Sequence, residues 1–263
     1  MTSWCGRDRI VTVAAVVRTE RVGSVLIARL DGPEHLNAYD GPTLKAVAAA
    51  WAELDADDDL VVGVLTGTGD RAFCVGADIG AVTSGGFTDP PYPELAEGIA
   101  RKPTIAAIEG LCLGGGMMLA CGCDLRLAGE SARFGLPEAR WNLPAHWLGA
   151  LARQVLPAHA LELALLADQQ FSADRLHSMG WLTQVVSDGS ALDAAVELAG
   201  SISRQAPGAV QRFTELIRLA RSVSPADALA VGHRHALELM AMDDTREGGR
   251  AFAEGREPQW RNR

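Results

Sequence analysis

Two hydrophobic rhythms alternate along the chain. From Ser24 to Leu30 aliphatic and β-branched residues crowd a run too short for a helix, which predicts a strand. It pairs with either Val11 to Val17 or Val17 to Arg21. After Asp40-Gly41-Pro42 the spacing changes: Leu44, Val47, Trp51 and Leu54 recur every three or four positions, predicting a helix that the acidic run Asp55 to Asp59 ends. Leu60 to Thr66 returns to strand character and stops at Gly67-Thr68-Gly69. Thr104 to Ile108 reads as another strand, Met117 to Gly122 as a helix, and Asp124 to Ala128 as a further short strand. The order is a repeated strand–strand–helix unit running to about residue 190.

The last third is helical throughout. Leu192 to Ile202, Val210 to Ala220 and Pro225 to Met240 follow one another, with Ser224 as N-cap and Pro225 at the first helical position. Asp244-Thr-Arg-Glu247 has the spacing of a capping box. This divides the chain into a mixed core, residues 1–195, and a helical region, residues 196–263, that covers a site or joins subunits. Thr83 to Pro93, with its Gly, Pro and Ser, reads as an irregular loop.

Composition narrows the function. Hydrophobic residues are 48% of 263 and aromatics only 5%, so the core is built from Ala, Val and Leu. A net charge of -9 argues against nucleic-acid binding, which needs a basic surface. The five cysteines, Cys5, Cys74, Cys112, Cys121 and Cys123, match no zinc spacing, and their odd count speaks against a disulfide framework. The apolar run Val11 to Val17 lacks a following cleavage pattern, and no stretch approaches a membrane span. The expected location is cytoplasmic, with no metal and no membrane partner.

The candidate chemistry sits at Gly114-Gly115-Gly116, between a strand and a helix. Glycines let backbone N–H groups approach a ligand, and a helix start adds unpaired donors and a positive dipole end. Upstream, Gly76 frees the Ala77 N–H to face the same cavity as that of Gly115, giving the two donors of an oxyanion hole. Downstream, Phe134-Gly-Leu-Pro-Glu138 pins a carboxylate in a partly apolar turn, where burial should raise its pKa. The triplet does not fit a dinucleotide fingerprint. His146 is an auxiliary acid or base at most, and His233 and His235 do not share a helix face, so they form no metal pair. Trp141 and Trp147 either shape an acyl site or fill the core.

Taken together, Phe73-Cys-Val-Gly-Ala-Asp78, Ile105-Ala-Ala-Ile-Glu-Gly110, Leu113-Gly-Gly-Gly116, Cys123-Asp-Leu-Arg126 and Phe134-Gly-Leu-Pro-Glu138 closely resemble the crotonase superfamily, the enoyl-CoA hydratase/isomerase family. Leu36-Asn37-Ala38 and the tail from Asp244 to Phe252 fit as well. The resemblance implies an α/β crotonase-like spiral of strand–strand–helix repeats with a helical C-terminal trimerisation region, assembled as a homotrimer or a dimer of trimers. It implies an acyl-CoA thioester substrate, coenzyme A being part of that substrate rather than a cofactor, whose carbonyl oxygen sits between the Ala77 and Gly115 N–H groups. Leu36, Ala38, Val75, Asp78 and Ile79 are the implied contacts to the coenzyme A portion.

One position departs from the hydratase pattern. Hydratases of the family carry two glutamates; Glu138 matches the second, and Met118 stands where the first is found. Methionine cannot accept a proton or orient water, and reads as an apolar residue of the acyl pocket. Family isomerases that move a double bond from position 3 to position 2 likewise use one glutamate. The expectation is therefore 3-enoyl to 2-enoyl isomerisation, with an atypical enoyl-CoA hydratase or a non-catalytic acyl-CoA binding protein as alternatives.

Overall fold

The computed structural model describes residues 14–78, 80 and 93–261. Two strands open it, β1 (Val16–Val22) and β2 (Val25–Asp31), an antiparallel hairpin turning at Gly23. The pairing partner of the Ser24 to Leu30 run is thus the Val17 to Arg21 segment. Helix α1 (Gly41–Ala56) follows, and the Asp40 side chain and Thr43 cap it reciprocally. Then come β3 (Val62–Gly67), β4 (Ala72–Cys74), β5 (Thr104–Ile108), β6 (Leu111–Leu113), α2 (Gly115–Cys121), β7 (Leu125–Gly129) and β8 (Arg133–Gly135). Short helices α3 (Glu138–Trp141), α4 (Leu148–Ala152) and α5 (Pro157–Leu165) lead to β9 (Phe171–Ser172), α6 (Ala173–Ser178) and β10 (Gln184–Val186). The C-terminal helices are α7 (Ala191–Ser203), α8 (Pro207–Leu219), α9 (Pro225–Ala241) and α10 (Asp243–Glu254).

Among the described residues two sheets form. The larger has strand order β1-β2-β3-β5-β7-β10, parallel after the hairpin, and the smaller has order β4-β6-β8-β9. The chain lays a long strand in the first sheet, then a short one in the second, three times in succession. That winding is a spiral. The central strands β2, β3, β5 and β7 are buried on both faces, as a parallel sheet requires, while the edge strand β1 is exposed. Leu26, Ala28 and Leu30 face the main core, while Val25, Ile27, Val62 and Val64 face α7. Ala191, Ala195 and Ala199 recur every fourth residue there, so α7 presents small side chains to the sheet. The division drawn at residue 195 falls inside this helix.

Two details differ from the sequence reading. Helix α2 begins at Gly115 rather than Met117, because the glycines themselves take helical backbone once Gly114 has turned (φ 54°, ψ −123°). The Asp244 capping box does not form: Met242 occupies the N-cap, Asp244 accepts the Arg261 N–H, and Glu247 pairs with Arg256. By contrast, Ser224 caps α9 through the Asp227 N–H.

Asn37 ties the N-terminal hairpin to the second sheet. It is fully buried, accepts the Gly32 N–H at 3.0 Å, and donates its amide to the carbonyls of Thr68 at 3.1 Å and Ala72 at 2.7 Å. Each buried group left unpaired costs on the order of 1–3 kcal/mol. Asn37→Leu is therefore expected to lower stability by about 3 kcal/mol or more, read as a lower urea midpoint with an unchanged slope.

Candidate active site

Three strands of the smaller sheet, β4, β6 and β8, run parallel and side by side, with Cys74 opposite Cys112 and Leu113 opposite Gly135. Their C-terminal ends therefore open at one edge. The segments leaving that edge are Val75-Gly76-Ala77, Gly114-Gly115-Gly116 and Leu136-Pro137-Glu138, so topology gathers residues more than sixty positions apart in the chain. The Gly114 N–H donates to Gly135 O at 2.9 Å and locks two of them together.

Tyr39 fixes the third. It forms a parallel bridge with Ala77, donating its N–H to Gly76 O at 2.9 Å and accepting the Asp78 N–H at 2.8 Å. In a parallel bridge the opposite residue's own N–H points to the other side, so the Ala77 N–H faces away from the Tyr39 segment. Gly76 has φ 97°, and a Cβ there would lie 3.0 Å from the Gly115 nitrogen. The two turns thus touch. Among the described residues no backbone carbonyl accepts the Ala77 or the Gly115 N–H. Gly115 is the first residue of α2, where the helix leaves its N–H unpaired.

Each glycine of the triplet is demanded by a different neighbour. A Cβ on Gly114 would sit 2.9 Å from Glu138 Oε1, one on Gly115 would overlap the Tyr39 hydroxyl, and one on Gly116 would overlap the Cys74 carbonyl. A flexible tight turn would tolerate side chains at some of these positions; this backbone tolerates none.

Glu138 opens α3, and its carboxyl rests against Gly114. Its Oε2 is buried without a hydrogen-bond partner among the described residues. Burial pushes its pKa above the ordinary glutamate value, opposed in part by its own backbone N–H. An apolar cavity of about 220 Å³ adjoins it, lined by Leu136, Ala139, Leu143, Ala145, Leu148 and Ala164, with Glu138 the one ionisable wall residue among the described residues. Two amides without a backbone acceptor, on touching turns beside a desolvated carboxyl, are the groups that could hold an oxygen gaining negative charge while a proton moves at the carbon next to it.

The remaining candidates spread around this centre. Leu36 has left-handed backbone (φ 55°), and its carbonyl accepts the Val75 N–H at 3.3 Å. Ala38 is buried with its carbonyl bonded to Ala15, and Asp78 is buried beside Tyr39. Ile79 lies outside the described residues, as does nearly all of Thr83 to Pro93. Met118 is buried in the main core and does not line the cavity at Glu138. His146 is exposed and also outside that lining. Trp147 is core filler, whereas Trp141 is 64% exposed with Arg140 stacked on it, so neither shapes the cavity. Among the described residues no cluster of His, Cys, Asp and Glu could hold a metal ion. No helix among them is long and apolar enough to cross a membrane. Cys121 and Cys123 are buried and free, and burial raises the Cys74 thiol to about 12.

Sequence reasoning missed Tyr39. It is buried at 5% exposure, and its hydroxyl meets the middle glycine. The available signal was scarcity: the chain has two tyrosines, and one directly follows the Leu36-Asn37-Ala38 segment.

Comparison with known proteins agrees with this geometry. The family model described as enoyl-CoA hydratase/isomerase matches residues 20–263. The enoyl-CoA hydratase EchA19 of Mycobacterium tuberculosis is 36% identical over 256 residues, covering 93% of this chain and 96% of that protein. The mevalonyl-coenzyme A hydratase sidH of Aspergillus fumigatus is 36% identical over 249 residues, covering 90% and 91%. Among solved structures, an enoyl-CoA hydratase of Mycobacterium tuberculosis H37Rv superposes with a TM-score of 0.84 at 34% identity, covering 94% of this chain and 99% of its own. One from Geobacillus kaustophilus gives 0.86 at 30% identity, covering 95% and 99%. With the spiral fold, the match over nearly the whole chain and the paired turns all in place, this chain belongs to the enoyl-CoA hydratase/isomerase family of the crotonase superfamily.

Proposed function

We propose that this enzyme moves a double bond within a fatty acyl-CoA thioester, converting 3-enoyl to 2-enoyl substrates through one carboxyl group. The observation that carries the reading is the solitary acid: among the described residues Glu138 is the one ionisable residue lining its cavity, and Met118 supplies no proton acceptor. In this reading the thioester oxygen accepts the Ala77 and Gly115 N–H groups. The Glu138 carboxylate takes a proton from C2, and the electron pair of that bond is delocalised onto the oxygen as a dienolate. The same carboxyl, now protonated, returns the proton at C4, and the double bond settles between C2 and C3. Each hole donor contributes about 2.7–4 kcal/mol to the transition state. No group beyond the substrate's own coenzyme A is called for, with Leu36, Ala38, Val75 and Asp78 as its proposed contacts.

Assembly as a trimer or a dimer of trimers belongs to the same proposal. Phe213, Ile217, Leu229, Met240 and Phe252 leave large apolar side chains exposed on α8 to α10. A second reading, hydration of 2-enoyl thioesters, is favoured by the relatives, since both EchA19 and sidH are named hydratases.

Product analysis with 2-enoyl- and 3-enoyl-CoA panels in deuterated water separates these readings. The expected outcome is conversion of 3-enoyl to 2-enoyl thioesters with deuterium incorporation; hydration of crotonyl-CoA as the dominant reaction would overturn it. Tight binding of saturated acyl-CoA without any turnover would leave a binding protein.

Glu138→Gln is expected to slow α-proton exchange by at least about 10²–10⁴-fold, and undiminished exchange would remove Glu138 as the base.

Because the buried site favours the neutral acid, the Glu138 pKa is higher folded than unfolded. Its contribution to stability is therefore full below the unfolded pKa of about 4.3 and is lost as pH rises through the folded value. Glu138→Gln should accordingly raise Tm at neutral pH, with the gain shrinking towards pH 4 in thermal melts. In the native enzyme the acid limb of kcat/KM should fall at a pH above the ordinary glutamate range.

A further inference from the structure

We propose that the Tyr39 hydroxyl is a third hydrogen-bond donor to the thioester oxygen, completing an oxyanion site that the Ala77 and Gly115 amides begin. The inference rests on the acyl-CoA reading, and is common to its isomerase and hydratase forms because both pass through an enolate.

The geometry comes from the middle glycine. The hydroxyl oxygen lies where a Cβ on Gly115 would be, and bond lengths alone then place it within about 5 Å of the Gly115 nitrogen. Two donors that share one acceptor at about 2.9 Å each stand no more than about 5.8 Å apart. The hydroxyl is thus within reach of the oxygen that the Gly115 N–H would hold. Direction agrees as well. In a helix the Cα–Cβ bond tilts towards the N-terminus, so a group at the Cβ position of the first residue lies at the end from which the unpaired N–H groups emerge.

Two further observations bear on how the residue is anchored and on the protonation state of its hydroxyl. The Tyr39 backbone is bonded on both sides, to Gly76 O and the Asp78 N–H, within the turn that carries Ala77. The side chain that reaches Gly115 and the backbone that orients Ala77 therefore belong to one residue. Burial, with the nearby Cys74 and Glu138, raises the phenol far above its ordinary range, so it stays a neutral donor at working pH. A buried neutral hydroxyl is suited to charge that appears only in the transition state, since it needs no reorganisation at that moment.

The test uses acetoacetyl-CoA, whose enolate form is stabilised by such a site and is read by ultraviolet absorbance. The native enzyme should bind it largely as the enolate. Failure of that first step would sink the acyl-CoA reading itself. Tyr39→Phe keeps the ring and removes the hydroxyl; it is expected to bind the thioester with a reduced enolate fraction and to lose on the order of 10²-fold in kcat, with KM nearly unchanged. An unaltered enolate fraction and kcat in a folded Tyr39→Phe protein would overturn the proposal.

A second measurement keeps the question open to refutation if that variant does not fold. The chain has only two tyrosines, so 3-fluorotyrosine incorporated into a Tyr92→Phe background labels Tyr39 alone. The more acidic fluorophenol should raise the enolate fraction, and its fluorine resonance should move on binding acetoacetyl-CoA. A resonance and an enolate fraction that both stay put would place the hydroxyl outside the site.

Discussion

Glu138, Tyr39 and Cys74 each press a polar atom against a different member of the Gly114-Gly115-Gly116 triplet, so three backbone positions are approached more closely than any Cβ allows. The rest of the site depends on that crowding. Because Gly114 gives way to the carboxyl, the acid lies beside the start of α2; because Gly116 gives way to Cys74, the helix start is held against β4. The N–H left unpaired at that helix start therefore has a fixed direction, and fixed donors are what make charge stabilisation effective.

The spiral supplies the rigidity behind this. Three short strands of the smaller sheet, β4, β6 and β8, each follow a long strand buried in the larger one, so the edge where Ala77, Gly115 and Glu138 emerge is anchored in the core. Asn37 then joins the hairpin side to the strand that carries the Ala77 turn, with its amide and carbonyl all engaged. The cost of the arrangement falls on Glu138, whose buried and unpartnered Oε2 destabilises the ionised form. A carboxyl placed for proton transfer is thus poorly placed for stability, and the pH dependence of the two should be opposite in sense.

Much of the frame was legible in the residues. The Thr104 to Ile108 strand and the Asp40-capped helix followed from periodicity and capping chemistry, both of which act over a few neighbouring positions. The glycine triplet and Glu138 were conspicuous because their residue types are restrictive. What sequence could not show was contact at long range. Nothing local says that Tyr39 reaches Gly115, that Trp141 turns outward, or that Met118 packs in the core away from the cavity beside Glu138. The Asp244 capping box failed for the same reason, since the pull of Arg256 on Glu247 and of the Arg261 N–H on Asp244 comes from a tail that folds back. Local spacing proposes such motifs; the distant partner decides them.

The claim at the centre is geometric, and a crystal structure of the enzyme with a bound acyl-CoA thioester tests it most directly. The account requires the thioester oxygen within hydrogen-bond distance of both the Ala77 and Gly115 nitrogens, with the Glu138 carboxyl beside C2 of the acyl chain. A thioester oxygen bonded elsewhere, or an acyl chain whose C2 lies out of reach of Glu138, would contradict it.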